Sequence, residues 1–373
     1  MVERDEMDDL DIADLERRAQ ERRERREQDL WHALEGEGVV PDRADLRHLS
    51  GLLEENTERV RTLWNQLRLE VRQELVETLR QMAEAEFRMD FSAVFRIALC
   101  DEDAEIRATA TRGLSEVEDV RLVPLLADML RHDPSSEVRL AAAEVLARYV
   151  LLGELQKIRP APFAQAMQAL RESYTDPAET GQIRRQAMES MAYTGDYDVP
   201  ALIAEAYEQD EEAMRVSAVL AMGRSADARW GDVVRRELHS PNPVMRLEAT
   251  RACGELQLRE AVQEVAELTD DVDSKIREMA LWSLGQIGGS IARKTLERYA
   301  GSAEATMQQA AVEALEELEF YYGDLTTFFG PPADYSGEAD EVWQVPGFFS
   351  EEDVKIEIDD EASDDEDSDE AWS

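Results

Sequence analysis

The chain has 373 residues, with 84 aspartates and glutamates against 41 lysines and arginines, so its formal net charge is −43. Nucleic acids and anionic lipid surfaces are themselves polyanions, so this charge excludes a generic nucleic-acid-binding protein and a protein that clings to anionic lipid. The sequence has no run of 18 apolar residues, which predicts no membrane insertion, and its two cysteines cannot build a disulfide framework.

The composition favours helix and a reducing compartment. Ala, Leu, Glu and Arg dominate, and aromatic residues make up only 6% of the chain. Residues 1–11 are acidic and lack the basic and apolar regions of a signal peptide, so we expect a cytoplasmic protein. Only four of the basic residues are lysines, an arginine bias typical of bacterial proteins from GC-rich genomes.

Residues 1–41 are predicted to form a charged N-terminal helical segment. Within it, residues 16–27 hold six arginines and four glutamates and are the one locally basic stretch of the chain. One interpretation is a solvated helix whose Glu and Arg side chains pair four positions apart. The other is a helix that docks on an acidic surface.

Residues 42–89 are also predicted to be helical, and we interpret them as a cap over the repeats that follow. A helical repeat array needs such a cap because its terminal helices would otherwise expose an apolar side. The apolar residues that fall near one face are Trp64, Leu67, Val71, Leu75 and Leu79.

From residue 90 to residue 318 the sequence repeats. Six units contain an apolar residue followed by an arginine, and these arginines are 32, 45, 31, 31 and 31 residues apart. They are Arg107, Arg139, Arg184, Arg215, Arg246 and Arg277. One more step of 31 residues leads to Gln308, preceded by Met307, in a seventh unit. Counted from the arginine, position +3 is alanine and position +7 is a larger apolar residue, which together with the apolar residue at −1 is the spacing of one helix face. Position +6 is small, so a neighbouring helix can approach closely.

Another helical segment precedes each of these stripes, and turn residues such as Asp133 and Pro134 separate the two. Each unit is therefore predicted to be a helix, a turn and a helix. We expect the turn aspartates Asp101, Asp210 and Asp271 to act as helix caps in the same way.

The 45-residue interval contains about one extra loop. We expect an irregular segment from Gly153 to Pro162, because Pro160 and Pro162 oppose a helix there. Long loops in compact repeats often carry function, so this segment is either a passive spacer or a contact for a partner.

Residues 323–373 are predicted to be an acidic, mostly disordered tail. Its last part, residues 333–373, holds 17 acidic residues and one lysine. Two apolar motifs interrupt the tail, Phe328 with Phe329 and residues 342–349. Either they pack back on the last repeats, or they offer a short peptide motif to a partner.

The repeats resemble the HEAT-repeat family, in particular the short phycobilisome-lyase HEAT-like type. Residues 133–139 carry the turn followed by the apolar-Arg pair, and residues 279–285 carry the alanine and the closing Leu-Gly. The resemblance implies an all-α fold, a right-handed α-solenoid of about seven HEAT-like helix pairs. The solenoid would span residues 42–322, between the charged N-terminal segment and the acidic tail.

Members of the family are mostly scaffolds and adaptors, and a minority are enzymes. The resemblance therefore implies a non-catalytic scaffold that binds a protein partner. The alternative is a bilin lyase-like or other HEAT-type enzyme acting on a protein substrate. The resemblance also implies that the six repeated arginines bind turn aspartates of their own or a neighbouring unit and so form a structural ladder.

In HEAT solenoids the second helix of each pair lines the concave side. If positions −1, +3 and +7 point inward, positions +2, +5 and +9 point outward, and several of these are aromatic residues or arginines, which dominate interface energies. The predicted protein-binding stripe consists of Tyr193, Leu220, Arg224, Arg251, Met279 and Trp282. The alternative is that Trp282 and Leu220 are only half-covered by adjacent helices.

No catalytic, cofactor-binding or metal-binding residues are predicted, so we expect no enzyme activity. The four histidines are not paired at i+3 or i+4, and none precedes a glutamate. The sequence thus lacks the usual helical metal pairs and the His-Glu ligands of deoxyhypusine hydroxylase, a HEAT-repeat enzyme. Cys253 at a +7 position and Cys100 at the end of a first helix are both expected to be packed in the core.

Overall fold

The computed structural model describes residues 17–322, apart from residues 19, 38, 87, 196 and 197. The described residues are helical and contain no β-strand, as the sequence predicts. The acidic tail, with its two apolar motifs, lies outside them. The α-helices are α1 (20–31), α2 (Arg43–Leu46), α3 (Glu54–Trp64), α4 (Leu69–Ala85), α5 (Ser92–Ala98), α6 (Ala104–Arg112), α7 (Val123–His132), α8 (Ser136–Glu154), α9 (Pro160–Thr175), α10 (Gly181–Met191), α11 (Val199–Tyr207), α12 (Glu212–Arg224), α13 (Gly231–Glu237), α14 (Pro243–Glu255), α15 (Val262–Glu267), α16 (Ser274–Ile287), α17 (Gly289–Ala300) and α18 (Ala305–Tyr322).

The helices form two layers. From α5 to α18 they make seven pairs in sequence order, and the second helices α4 to α18 stack in one row, each against the next. Helices α3 and α4 continue the array at its N-terminal end through contacts of α3 with α5 and of α4 with α6. The predicted α-solenoid of about seven pairs is therefore confirmed.

The repeated apolar stripe forms the core between the layers. The alanines at +3 and the larger residues at +7 are fully buried in every unit from Arg107 to Arg277. Alanine suits +3 because the two layers approach closely there, and the larger side chain at +7 fills the remaining space. Burial of this stripe in each unit against its neighbours explains why a single unit would not be stable alone.

The N-terminal helix does not stand apart from this core. Residues 20–26 of α1 are exposed, but Leu30, Trp31 and Leu34 are buried. Arg26 is paired with Asp45 at 3.0 Å, and the Arg59 guanidinium lies 4.0 Å from the centre of the Trp31 ring. The packed array therefore begins near residue 30, about ten residues before the boundary at residue 42 that the sequence suggested.

The expected irregular loop from Gly153 to Pro162 is wrong. Helix α8 continues through Gly153 to Glu154, and α9 begins at Pro160, which leaves only a short connection. Proline is tolerated in the first turn of a helix because the N–H groups there have no partner within the helix. Most of the extra residues thus lengthen two helices.

Candidate protein-binding groove

Four consecutive second helices position the predicted stripe. Tyr193 follows α10, Leu220 and Arg224 lie on α12, Arg251 lies on α14, and Met279 and Trp282 lie on α16. All six side chains are half-buried. They are accessible enough to be contacted and are held by the neighbouring helices.

Trp282 separates two shallow depressions that are open to solvent. The first, with a volume of about 320 Å³, is lined by Leu247, Arg251, Lys275, Glu278, Met279 and Trp282, and we call it the Met279 depression. The second, of about 250 Å³, is lined among others by Tyr193, Gly223, Arg224, Gly254, Glu255 and Trp282, and we call it the Tyr193 depression. Trp282 and four other stripe residues, Tyr193, Arg224, Arg251 and Met279, thus line the two depressions. Leu220 lines neither of them.

Two glycines form part of the floor of the Tyr193 depression. A Cβ at Gly254 would lie 2.8 Å from Cζ3 of Trp282, so only glycine lets the indole lie against α14. A Cβ at Gly223 would collide with the Glu255 carboxylate. Both glycines stand at position +8 of their units, and their role was not predicted from the sequence.

The two arginines of the stripe are each held by a glutamate. The Arg224 guanidinium lies 5.3 Å from the centre of the Tyr193 ring and 3.7 Å from Glu189 Oε2. Arg251 Nε lies 3.1 Å from Glu248 Oε2. Each arginine of the stripe therefore has an acidic neighbour on the same face.

Three glutamates lie beside these arginines, and burial raises the pKa of all three, Glu189, Glu248 and Glu255. The nearby arginine charges act in the opposite direction but do not cancel the effect of burial. Glu248 and Glu255 stand at the outward positions +2 and +9 after Arg246, so the offset rule could have found them. They were not predicted because the stripe was defined by its aromatic, aliphatic and basic residues.

The arginine ladder is built from four of the six predicted residues. Arg107 and Arg246 each donate two hydrogen bonds to an aspartate of the next unit. Arg107 donates to Asp133, both at 2.9 Å, and Arg246 donates to Asp271 at 3.0 and 3.1 Å. Arg139 does the same with Glu179, and Arg277 lies 3.2 Å from Glu304. Each of the four also donates to a backbone carbonyl of its own turn. The ladder therefore ties each turn to the next.

Arg184 and Arg215 make other contacts. Arg184 donates to the carbonyl of Tyr174 at 2.9 Å, and the Arg215 guanidinium lies 5.6 Å from the centre of the Tyr207 ring. An additional rung occurs in the cap, where Arg72 Nε lies 3.0 Å from Asp101 Oδ2. The apolar-Arg pair Val71 and Arg72 was its signal in the sequence.

Turn aspartates act differently from the expected caps. Asp101, Asp133 and Asp271 lie in the turns that precede their helices. Each accepts a hydrogen bond at 2.9 Å from the backbone N–H of the residue two positions later. The caps themselves lie two residues later, as Asp103 and Asp273 show. Asp210 is exposed, and Glu211 occupies the cap position of α12.

The two cysteines differ. Cys253 is buried at its +7 position, and burial raises the pKa of its thiol to about 12. Cys100 is exposed in the turn after α5, so its expected packing in the core is wrong. The part of the chain that the structure describes contains no group of His, Cys, Asp and Glu side chains arranged to hold a metal ion. None of its helices is long and apolar enough to cross a bilayer.

A comparison with known protein families identifies the type of the repeats. The family model described as HEAT repeats matches residues 63–147 and 231–316. These two ranges are HEAT repeats. The matched ranges cover the end of α3 through most of α8, and α13 through most of α18. No curated protein sequence matches this chain.

Solved structures that match this chain have low sequence identity and low TM-scores. Human deoxyhypusine hydroxylase in complex with glycerol is 18% identical, with 72% of this chain and 97% of that chain covered and a TM-score of 0.33. The complex of CpcE and CpcF of phycocyanin lyase from Nostoc sp. PCC7120 is 18% identical, with 72% and 98% covered and a TM-score of 0.45. Kap95p, in a structure with RanGDP, is 13% identical, with 79% and 46% covered and a TM-score of 0.44.

Proposed function

We propose that this HEAT-repeat protein is a non-catalytic scaffold that binds a protein partner along the face of its second helices, the concave side in HEAT solenoids. The observation that carries the proposal is the pair of depressions that share Trp282. Tryptophan and arginine anchors surrounded by half-buried side chains are typical of interface hot spots. Extended faces of repeat proteins are also the surfaces that such proteins use for binding.

The shape of the site favours a protein partner over a small substrate. Binding sites for small molecules are concave and bury most of the ligand surface. Both depressions are shallow and open, and they lie side by side along α12, α14 and α16. A polypeptide segment can cover both at once.

The test is capture of a partner from native lysate with the intact chain, followed by measurement of its affinity for variants. Trp282→Ala with Arg251→Ala should weaken binding by about 30-fold or more, as loss of anchor residues typically does. Arg121→Ala with Leu125→Ala, which changes two exposed side chains near the start of α7, is the matched control and should bind normally. Normal capture by the first variant, with unchanged helicity and melting, would contradict the proposal.

A further inference from the structure

Glu255 is the carboxylate of the Tyr193 depression that has no cation of its own. Glu189 is paired with Arg224 and Glu248 with Arg251. Among the described residues no arginine, lysine or histidine nitrogen lies within 4.0 Å of a Glu255 oxygen. The local count of three glutamates against two arginines therefore leaves one negative charge over.

The environment of Glu255 makes that charge costly. Its Oε2 atom is buried beside Gly223 and accepts no hydrogen bond. Glu248 Oε2 accepts none either, but it lies 3.1 Å from the charged guanidinium of Arg251, whereas Glu255 has no such ion pair. A buried acceptor without a donor loses the free energy of hydration that it would have in water. The raised pKa of Glu255 has the same origin, because burial disfavours its ionised form.

Trp282 offers an apolar face beside this carboxylate. It lines the Tyr193 depression together with Glu255, and it lines the Met279 depression together with Leu247 and Met279. An arginine side chain suits the first depression because its planar guanidinium stacks on aromatic rings and binds carboxylates. An aliphatic side chain suits the second because Leu247, Met279 and Trp282 present apolar atoms there.

We propose that the groove recognises a basic segment of the partner protein, in which one arginine enters the Tyr193 depression and meets Glu255 while an aliphatic residue close to it enters the Met279 depression. This inference rests on the proposed function and specifies the partner chemistry. In an extended segment the two side chains would be two residues apart, since alternate side chains lie on one face. The net charge of −43 steers basic segments toward the protein.

Arg224, Lys275 and Glu278 also border the two depressions. Lys275 and Glu278 offset each other's charge at the rim of the Met279 depression. Arg224 is paired with Glu189 and lies over the Tyr193 ring, and it is not within ion-pair distance of Glu255, although its charge lowers the pKa of that group. The excess charge available to an incoming arginine is therefore that of Glu255.

The test uses a defined probe and the full chain. The probe is the tripeptide acetyl-leucyl-seryl-argininamide, and its analogue carries citrulline, which is neutral and nearly isosteric with arginine. The full chain is labelled with 5-fluorotryptophan, and Trp282→Phe identifies the fluorine resonance of Trp282. The probe should shift this resonance saturably at physiological salt, and the citrulline analogue should bind about tenfold more weakly, as expected for loss of a charged hydrogen bond.

Glu255→Gln should bring the two affinities close together by weakening only the arginine probe. Glu313→Gln removes the same charge from an exposed position on α18 and should keep the tenfold preference. Equal binding of the two probes, an unchanged preference in Glu255→Gln, or no shift of the Trp282 resonance would each overturn the inference.

These outcomes are separate from those of the proposed function. If Trp282→Ala with Arg251→Ala loses the captured partner but the probes show no preference for arginine, the groove binds protein by other chemistry and only the inference fails. If that variant captures the partner normally, the scaffold proposal itself fails.

Discussion

Asp271 shows how one side chain serves two neighbouring units. Its Oδ1 accepts the N–H of Asp273 at 2.9 Å within its own turn, and both carboxylate oxygens bind Arg246 of the preceding unit. Burial alone would raise the pKa of Asp271, but the hydrogen bonds from Arg246 and the backbone lower it overall. The ionised form therefore stabilises the fold.

Removal of the arginine from this pair should destabilise the protein. The Arg246 and Asp271 side chains are only 15% and 8% exposed, so water cannot replace the lost partner. We expect Arg246→Met to lower the free energy of unfolding by about 2 kcal/mol, the range for hydrogen bonds to charged groups. Urea denaturation measures this value. Arg121→Met is the control, because Arg121 is 84% exposed, and a loss of equal size there would contradict the argument.

Glu255 should affect stability in the opposite direction. The pKa of Glu255 is raised in the folded protein, so ionisation of Glu255 destabilises the fold when the pH is above this raised pKa. The destabilisation disappears as the pH falls to the pKa of an ordinary glutamate, because Glu255 is then protonated in the folded protein. We expect Glu255→Gln to raise the melting temperature by about 2 °C at pH 7 and to have little effect near pH 4. Calorimetry at the two pH values measures the difference. A lower melting temperature at pH 7 would show that the ionised carboxylate has a stabilising partner.

At the scale of helices, the close packing of the last second helices depends on glycine at position +8 of the units of Arg215, Arg246 and Arg277. A Cβ at Gly254 would lie 2.9 Å from Ser283 Cα, and a Cβ at Gly285 would lie 3.2 Å from Ala314 Cα. Ser283 and Ala314 are the small +6 residues of the next unit. The small +6 residue of one helix thus packs against the +8 glycine of the previous one, which sets their close approach.

Gly254→Ala should therefore disturb the contact between α14 and α16 and move Trp282. We expect a loss of about 1–3 kcal/mol, typical of overpacking, together with a changed fluorescence spectrum of Trp282. Gly301→Ala is the matched control, since the nearest atom to its Cβ would be 3.7 Å away, and it should have little effect. If Gly254→Ala is as stable as the control, the helices can separate there at little cost.

The sequence predicted the helix pairs because every unit repeats the same spacing, so that each position has the same role in each unit. It failed where the spacing changed. The additional residues after Arg139 fit two longer helices because Pro160 and Pro162 occupy the first turn of α9, a position that spacing alone does not reveal. The start of the core at Leu30 was not predicted, because the apolar residues that begin there follow a long run of charged residues.

The candidate groove could be predicted only in part. Offsets from the repeated arginines placed Tyr193, Arg224, Arg251, Met279 and Trp282 around the two depressions. The unpaired charge of Glu255 could not be predicted, because it depends on the ion pairs of the two nearby arginines. Arg224 pairs with Glu189 and Arg251 pairs with Glu248, which leaves Glu255 without an ion pair. Such pairing is a property of three neighbouring units and not of one repeat.

At the scale of the whole molecule, local attraction and overall repulsion oppose each other. The ladder pairs are partly buried and short, so salt screens them weakly. The excess of acidic residues acts over longer distances and destabilises a compact state through self-repulsion. Of the net charge of −43, residues 333–373 contribute 17 acidic residues and one lysine.

Salt should therefore stabilise this protein. An increase in sodium chloride from about 0.01 M to about 0.1 M shortens the screening length from about 30 Å to about 10 Å, which weakens long-range repulsion while leaving the ladder nearly intact. We expect the melting temperature to rise over this range, and to rise less in a chain that ends at residue 332 and so lacks the most acidic part. An equal rise in both chains would show that the charge of residues 333–373 does not act on the repeats. A fall in both would show that the local ion pairs outweigh the overall repulsion.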